Sequence, residues 1–592
     1  MNAFGAALAI ALLCPVRAVA APPERDLIVA TVRDTDGMPI VDANVRALAA
    51  DGTVRAEDRS DASGTVALAV ARDVSRVEVR CRYCRSTSVA LGDETNLAIV
   101  VLRYRAVAND ALASTDLDVL PYGRPRDSVA LVPYVFGGGD GAARVSDRGL
   151  GGGAAVVTDD GAPVPYLAAA ATGFENFPDR YARRVDVVRA DRAFIYGVSG
   201  GAGRIALDGL DTATRARVDA GATTGIVIAP VIGSLHAGSG VSDDDGTIVR
   251  RADVDLVSGF AGGELRIGAT TASDTVAAPS SKRHVDGVRL GYVTASRRYR
   301  TSADASAMAV DFTLDRGGAI AYRARYFDAD VRVEHPGPMT FAAGLRTSVR
   351  SFTYTAPTAR FARDVRTDDE TAYVEAQATT GVLALHVALG GDRIGIRRTG
   401  NDRTNAGALT AFAPEVDARL ALGAGAYARV AYAQSARVGG DGTYSGSLER
   451  AALLEGAFGI DSGDRIRGEV IAYREATHDA ASRELVGVGA SLAWELAPRL
   501  SLRAWTLHAT PSMALPYALG FDAMTRGVAW LSYETGAVRI DAIAHRDVVA
   551  SRSIVTGIDG DVDVRVASSA ALNFGSYRRG GIRRYTFGLR VH

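Results

Sequence analysis

A chain of 592 residues is too long for one ordinary domain, and its balance of 67 basic against 68 acidic side chains leaves no electrostatic footprint for nucleic acid. Apolar residues make up 47% of it, yet no apolar run reaches the ~20 residues of a membrane-spanning helix, so any membrane role falls to strands. The chain opens with an apolar core from Ala6 to Leu13 and a small-residue cleavage site at Ala18-Val19-Ala20, so residues 1–20 read as an export signal peptide. Its leading region has no positive charge beyond the α-amine. Cys14 raises the alternative of lipidation, but Leu13 before it is larger than the residue such a site takes. Once the signal is removed, Cys81 and Cys84 remain. In an exported chain this C-x-x-C is a candidate disulfide, with two free thiols as the bland alternative. No second Cys or His pair lies nearby to complete a zinc site.

Residues 26–104 predict a small β-sandwich. Leu27 to Val32, Ala43 to Leu48 and Thr65 to Val70 are strand-like, with turns at Asp36-Gly37-Met38-Pro39 and Asp61-Ala62-Ser63-Gly64. Val32, Asp34, Gly37, Pro39, Ile40, Ala43 and Val45 fit a pattern that resembles the carboxypeptidase-regulatory-like domain. The resemblance implies a structural or interactive role and no catalysis. Residues 105–125 read as a linker containing Pro121 and Pro125.

Residues 126–210 predict a small α+β unit with glycine turns. The apolar run Ala154 to Val157 leads to a turn at Asp159-Asp160-Gly161. Strands follow at Val185 to Val188 and Arg204 to Leu207, the last after the glycine-rich Tyr196 to Gly201. The order Arg148-Gly149, Asp160-Gly161-Ala162-Pro163, Arg184-Val185-Asp186-Val187 and Tyr196-Gly197 with Gly200 and Gly201 resembles the plug domain of TonB-dependent outer-membrane receptors. Two pieces depart from that family's pattern: Arg189-Ala190-Asp191 stands where it has Arg-Gly-Pro, and Asp159 stands where it has Ile. The resemblance implies a short coupling segment, the TonB box, within 105–125. No convincing match to it is present.

From about residue 211 to 592 the chain alternates with period 2. Val486, Val488, Ala490, Leu492, Trp494 and Leu496 interleave with Gly487, Gly489, Ser491, Ala493 and Glu495. Ala216, Val218 and Ala220 do the same with Arg215, Arg217 and Asp219. An apolar exterior around a polar interior, continued for some 380 residues without a helical segment, predicts a large transmembrane antiparallel β-barrel of about 22 strands. Hairpin turns are expected at Glu495 to Leu500, Asp461 to Asp464 and Tyr533 to Ala537, with short connections elsewhere. Trp494, Trp505, Trp530 and the tyrosines are expected to form the interfacial girdles, since aromatics are only 7% of the chain. Tyr585, Phe587, Leu589 and Val591 alternate at the end, although His592 follows them.

No chemistry-bearing constellation stands out. The eight histidines are scattered singly, with no H-E-x-x-H, no G-x-S-x-G and no Walker loop. No cofactor is expected and the chain does not read as an enzyme. The acidic runs at Asp243 to Asp245 and Asp368 to Glu370 read as solvated loop tips ahead of Ca²⁺ sites, and the arginines of the polar strand faces as lumen-lining charges. The whole reads as mainly β: sandwich, plug and barrel. By resemblance it implies an outer-membrane receptor or transporter with its N-terminal domain in the periplasm. Its partners would be outer-membrane lipid, a TonB-type energising complex and an extracellular ligand such as a siderophore, cobalamin, glycan or peptide. The alternative is a non-transporting barrel for adhesion, assembly or surface interaction, and an exported enzyme is the third and least favoured reading.

Overall fold

A computed structural model describes residues 26–34, 40, 43–60, 64–70, 73–80, 87–91 and 96–101 of the N-terminal part. In the central part it describes 111–112, 131–137, 145–148, 156–159, 162–163, 184–188 and 204–208. From 215 to 591 it describes all but residues in the connections between strands. No helix occurs among these residues.

The N-terminal part is two small sheets sharing one core. Asp26–Asp34 lies between Thr65–Val70 and Asn96–Val101. Facing it, Asn44–Ala49 lies between Val54–Arg59 and Val74–Arg80, and Thr87–Ala90 adds at the edge. Alternate residues Ile28, Ala30 and Val32 meet Val45, Val77, Val79, Leu97 and Ile99 in that core, the packing the period-2 pattern predicts. Cys81 and Cys84 fall outside the described residues.

In the central part the three expected strands form. Val156–Asp159 pairs in parallel with Arg204–Asp208, and Arg184–Val188 pairs antiparallel with Arg204–Asp208. Ala162–Pro163 closes back on Val156–Asp159. Ala111–Leu112, inside the stretch expected to be linker, instead adds antiparallel to Arg184–Val188 as the outer strand of this sheet.

The remainder is a closed antiparallel barrel. Thr223–Ala229 and Val231–Ile232 pair in line with the same neighbour, Leu235–Asp244, and count as one strand interrupted at Pro230. That gives 22 strands, as expected. Closure is made where Arg215–Gly221 pairs with Ile582–Val591, from Ala216 opposite Val591 to Gly221 opposite Thr586. No strand edge is left, which is what hydrocarbon demands of spanning backbone. Strands such as Phe361–Thr379 and Thr404–Gly423 run well past the ~9–11 residues a crossing needs, so they take up chain that was expected in connections.

Outward positions form an apolar belt. Val254, Leu256, Val288, Leu290, Phe327, Leu389, Phe412, Leu454, Phe458, Val486 and Val488 are all exposed on the protein. At the end carrying the tight turns, Phe260, Tyr299, Trp494 and Tyr533 face outward as the girdle reading expects. At the other end the belt stops at charged outward residues, among them Arg366 paired with Asp368, Glu370 with Arg393, and Arg474 with Glu484. Two expectations are corrected. Trp505 and Trp530 are buried on the inward face, in phase with inward Leu507 and Val528, so neither joins a girdle. Asp368 to Glu370 is no loop tip: it lies within the strand Phe361–Thr379, where Asp369 turns inward to Arg346 and its two neighbours turn outward.

The N-terminal sheets meet the barrel at its tight-turn end. The Thr340 hydroxyl donates to the Asp58 carboxylate at 2.9 Å, and the Arg300 guanidinium donates to the Thr65 carbonyl at 3.5 Å. Burial pushes the Asp58 carboxyl up to about 7 from 3.8, and the nearby Glu334 carboxylate pushes the same way. The Thr340 hydroxyl, the Arg59 backbone N–H and the Arg332 guanidinium pull it down only in part. Because the docked pKa is the higher one, the docked form holds an extra proton between about 4 and 7. This contribution to docking is therefore complete below about 4 and is lost as pH rises through about 7. Once each rate is divided by the intrinsic amide rate at that pH, protection from hydrogen exchange across the Val54–Arg59 strand should be higher at pH 5 than at pH 8. Asp58→Asn should remove the difference, and a pH dependence unchanged in Asp58→Asn would sink the assignment.

Candidate functional site

A strand with alternate side chains inside a barrel presents every second residue to the lumen. On Ser447–Asp461 those residues include Glu449, Ala451, Leu453, Glu455 and Ala457, and on Ile466–His478 they include Ile471 and Tyr473. A lone carboxylate in such a wall is costly unless it is paired. Glu455, 2% exposed, is bound from two sides. The Arg429 guanidinium donates to Glu455 Oε1 at 2.7 Å and also holds Asp417, with Nε to Oδ2 at 2.9 Å. From the central segment Arg148, 1% exposed, donates to Glu455 Oε2. The Tyr473 hydroxyl donates to the Arg148 carbonyl. One residue, reached across 307 positions of sequence, thus ties the interior segment to the wall by side chain and backbone.

An apolar contact lies beside this ionic one. Leu131, Val132, Tyr134 and Val135 are buried. The Trp505 indole donates to the Leu131 carbonyl at 3.1 Å, and the Tyr134 ring meets Trp505 edge-on at 6.2 Å between centroids. The two contacts are joined through the backbone, since the Arg148 N–H donates to the Tyr134 carbonyl at 2.7 Å. Tyr134 and Arg148 both sit at positive φ, 65° and 56°. That conformation costs a non-glycine residue about 1–3 kcal/mol and persists only where surroundings over-determine it. Here the wall does so.

Glycines on the wall make room for these aromatics. Tyr473 lies directly opposite Gly487, where a Cβ would overlap its ring, and a Cβ on Gly489 would crowd Leu507 and the Tyr134 ring. Tyr373 over Gly344, Tyr427 over Gly459 and His545 over Gly557 repeat the device. Elsewhere the inward rows are ion pairs: Arg251 with Asp253, Arg283 with Asp274, Arg346 with Asp328 and Asp369, and Arg539 with Asp541. His386 stands between Glu375 and Glu415 at 3.4 and 3.8 Å. These are the lumen-lining charges the arginine-rich polar faces predict.

Of the expected plug residues, Arg148 is placed at the centre of this contact. Pro163 lies opposite Thr158 and Arg184 opposite Asp208 in the interior sheet. Gly149, Asp160, Gly161, Tyr196, Gly197, Gly200 and Gly201 fall outside the described residues. The wall residues Glu455, Arg429, Asp417, Tyr473 and Trp505 were not legible in advance. Each is one polar or aromatic residue among many on an alternating strand.

Removing Glu455 leaves Arg148 buried without its anion, so Glu455→Ala should weaken seating of the interior segment by about 3–5 kcal/mol. Arg148→Met with Glu455→Leu should recover most of that loss, because an apolar pair of similar volume replaces a buried ion pair at little cost. The readout is protease cleavage within 126–210 in detergent. Equal cleavage of Glu455→Ala and wild type would refute the tie. Gly487→Val, which displaces the Tyr473 ring, should raise cleavage as well, by about 1–3 kcal/mol of overpacking.

Residues 105–204 match the TonB-dependent Receptor Plug Domain family. No curated protein matches the chain. Among solved structures it is similar to the alcaligin outer-membrane receptor FauA from Bordetella pertussis. The TM-score is 0.68 at 11% identity, over 83% of this chain and 96% of that one. It is similar to the FrpB iron transporter from Neisseria meningitidis, with a TM-score of 0.67 at 12% identity over 82% and 100%. It is also similar to the ferric yersiniabactin uptake receptor FyuA from Yersinia pestis, with a TM-score of 0.64 at 11% identity over 82% and 98%. A plug-family segment seated against the inner wall of a closed 22-strand barrel gives this chain the fold of the TonB-dependent outer-membrane receptors.

Proposed function

We propose that the chain is an outer-membrane receptor that binds an extracellular ligand and imports it to the periplasm when an energised TonB-type partner displaces the plug. The observation that carries this reading is the tie of Arg148 to Glu455 and Tyr473. A polar lumen needs a stopper to stay selective, and a stopper held by buried charge and a tryptophan-lined apolar contact needs an outside force to yield. Ala111–Leu112 supports the coupling role. It is an outer strand of the interior sheet and is held by two residue pairs, so traction on it would open the sheet from an edge. The similar solved structures are named for alcaligin, iron and ferric yersiniabactin, which favours an iron chelate among the ligand classes.

The same reading assigns 1–20 to a signal peptide, 26–104 to a periplasmic carboxypeptidase-regulatory-like domain, 105–125 to a linker, 126–210 to the plug and 211–592 to the barrel. It gives Gly149, Asp160-Gly161, Tyr196-Gly197 and Gly200-Gly201 the plug's turns, and Cys81 and Cys84 a local disulfide. The second reading, a non-transporting barrel for adhesion, assembly or surface interaction, draws support from the short connections and the unmatched TonB box. A photo-crosslinker at Ala111 separates the two. Capture of the energising partner, with radio-iron uptake from ferric chelates that stops when the proton gradient is collapsed, is the expected result. No capture, together with uptake that survives collapse, would overturn the transporter reading.

A further inference from the structure

The outer wall beside the seam carries a feature that closure does not require. Across Thr223–Ala229, Leu235–Asp244, Thr247–Phe260 and Gly263–Val276 one outward row runs Ile226, Val241, Arg250, Ser273, each opposite the next in register. Arg251, next to Arg250, is buried inward on Asp253, which fixes Arg250 outward. In the adjoining row Ile228 lies opposite Ser239. Ser239 beside Ile228 and Ser273 on the far side of Arg250 are small, and a groove of about 540 Å³ runs among these residues. Its floor is apolar, its flank carries hydroxyls, and one guanidinium stands at its rim.

Arg250 is exposed and makes no ion pair or hydrogen bond among the described residues. It sits four residues along its strand from Val254, where the apolar belt begins, on the side away from the tight turns. That places it at the height of the lipid headgroups, where an unpaired cation attracts lipid phosphate. Lys282, outward on Ser281–Ala295 and likewise without a partner, extends the positive rim two strands further. We propose that this groove seats a phosphate-bearing lipid of the outer leaflet, its phosphate at Arg250 and an acyl chain over Ile226 and Ile228. The proposal rests on the outer-membrane reading of the barrel.

Native mass spectrometry of the full chain in detergent, with bis-phosphorylated lipid A and with the same lipid after phosphate removal, tests it. Wild type should retain the phosphorylated lipid about fivefold better than the dephosphorylated one, and Arg250→Gln should lose that advantage. Ser239→Trp, which fills the groove and keeps Arg250, should abolish retention. Arg546→Gln, an exposed cation outside the groove, should leave it intact. Equal retention by Arg250→Gln, equal retention of the dephosphorylated lipid, or full displacement by millimolar inorganic phosphate would overturn the proposal. Heat-modifiable gel migration of each variant is recorded in parallel. Loss of that shift in wild type would count against the barrel reading, whereas a normal shift with unchanged lipid retention counts against the lipid site alone.

Discussion

Closure between Arg215–Gly221 and Ile582–Val591 is the constraint on which the rest of the structure depends. Backbone that crosses hydrocarbon has no water to bond to, so every N–H and C=O must find a strand neighbour, and only a sheet without edges satisfies them all. Closing the sheet divides each strand into two faces with opposite requirements. Outward residues meet lipid and are valine, leucine, isoleucine and phenylalanine. Inward residues meet water, one another and the plug, and are arginine, aspartate, glutamate and tyrosine. The near-zero net charge of the chain follows from this, since an inward arginine such as Arg251 or Arg539 has a carboxylate two positions along its own strand.

A wall of paired charges does not by itself hold a plug. Charges already paired with each other have little to offer a third party, and their desolvation would have to be repaid. The contact at Arg148 escapes this because Glu455 is shared. One oxygen stays with Arg429 while the other takes Arg148, so docking adds a bond without breaking the wall's own network. Tyr473 is available for the Arg148 carbonyl because Gly487 lets its ring lie flat across the neighbouring strand. The apolar knob at Leu131 and Tyr134 supplies what ion pairs lack, a contact whose strength does not depend on charge. The left-handed backbone at Tyr134 and Arg148 then marks where the segment bends to make both contacts at once.

Much of the fold was legible because period 2 is a local property that any eight residues reveal. The strands at Val156, Val185 and Arg204, the hairpins at Ala497, Asp461 and Glu534, and the outward phase of Tyr585 to Val591 all follow from local spacing and turn residues. The plug was legible through glycines and one arginine in order. What failed was the assignment of aromatics and acids to a height or a face by type alone. Trp505 and Trp530 were expected at lipid interfaces because tryptophan favours them, but parity with Leu507 and Val528 turns both inward. Asp368 to Glu370 looked like a loop tip, yet a strand taller than the bilayer carries charges on both faces above the belt. Glu455 was invisible for a different reason: its role exists only relative to Arg148, and no local pattern encodes a partner 307 residues away.

Strand height also shapes the rim. Thr404–Gly423 at 20 residues spans about 50 Å of barrel axis at a tilt of about 40°, roughly twice the apolar band of such barrels. The wall therefore continues beyond the lipid as hydrogen-bonded sheet, and the ends of neighbouring strands are joined by few residues, the longest gap lying between Pro511 and Met524. A rim built this way is preorganised, since its side chains project from paired backbone instead of from long loops that must order on contact. The inward groups of this wall are held in place by the strands, as the mid-strand Asp392 carboxylate is by the Thr371 hydroxyl and the Ala436 N–H. Discrimination at such a mouth comes from the shape and charge of the wall. Among the described residues, Arg148 and Tyr134 join the interior segment to that wall by both an ionic and an apolar contact.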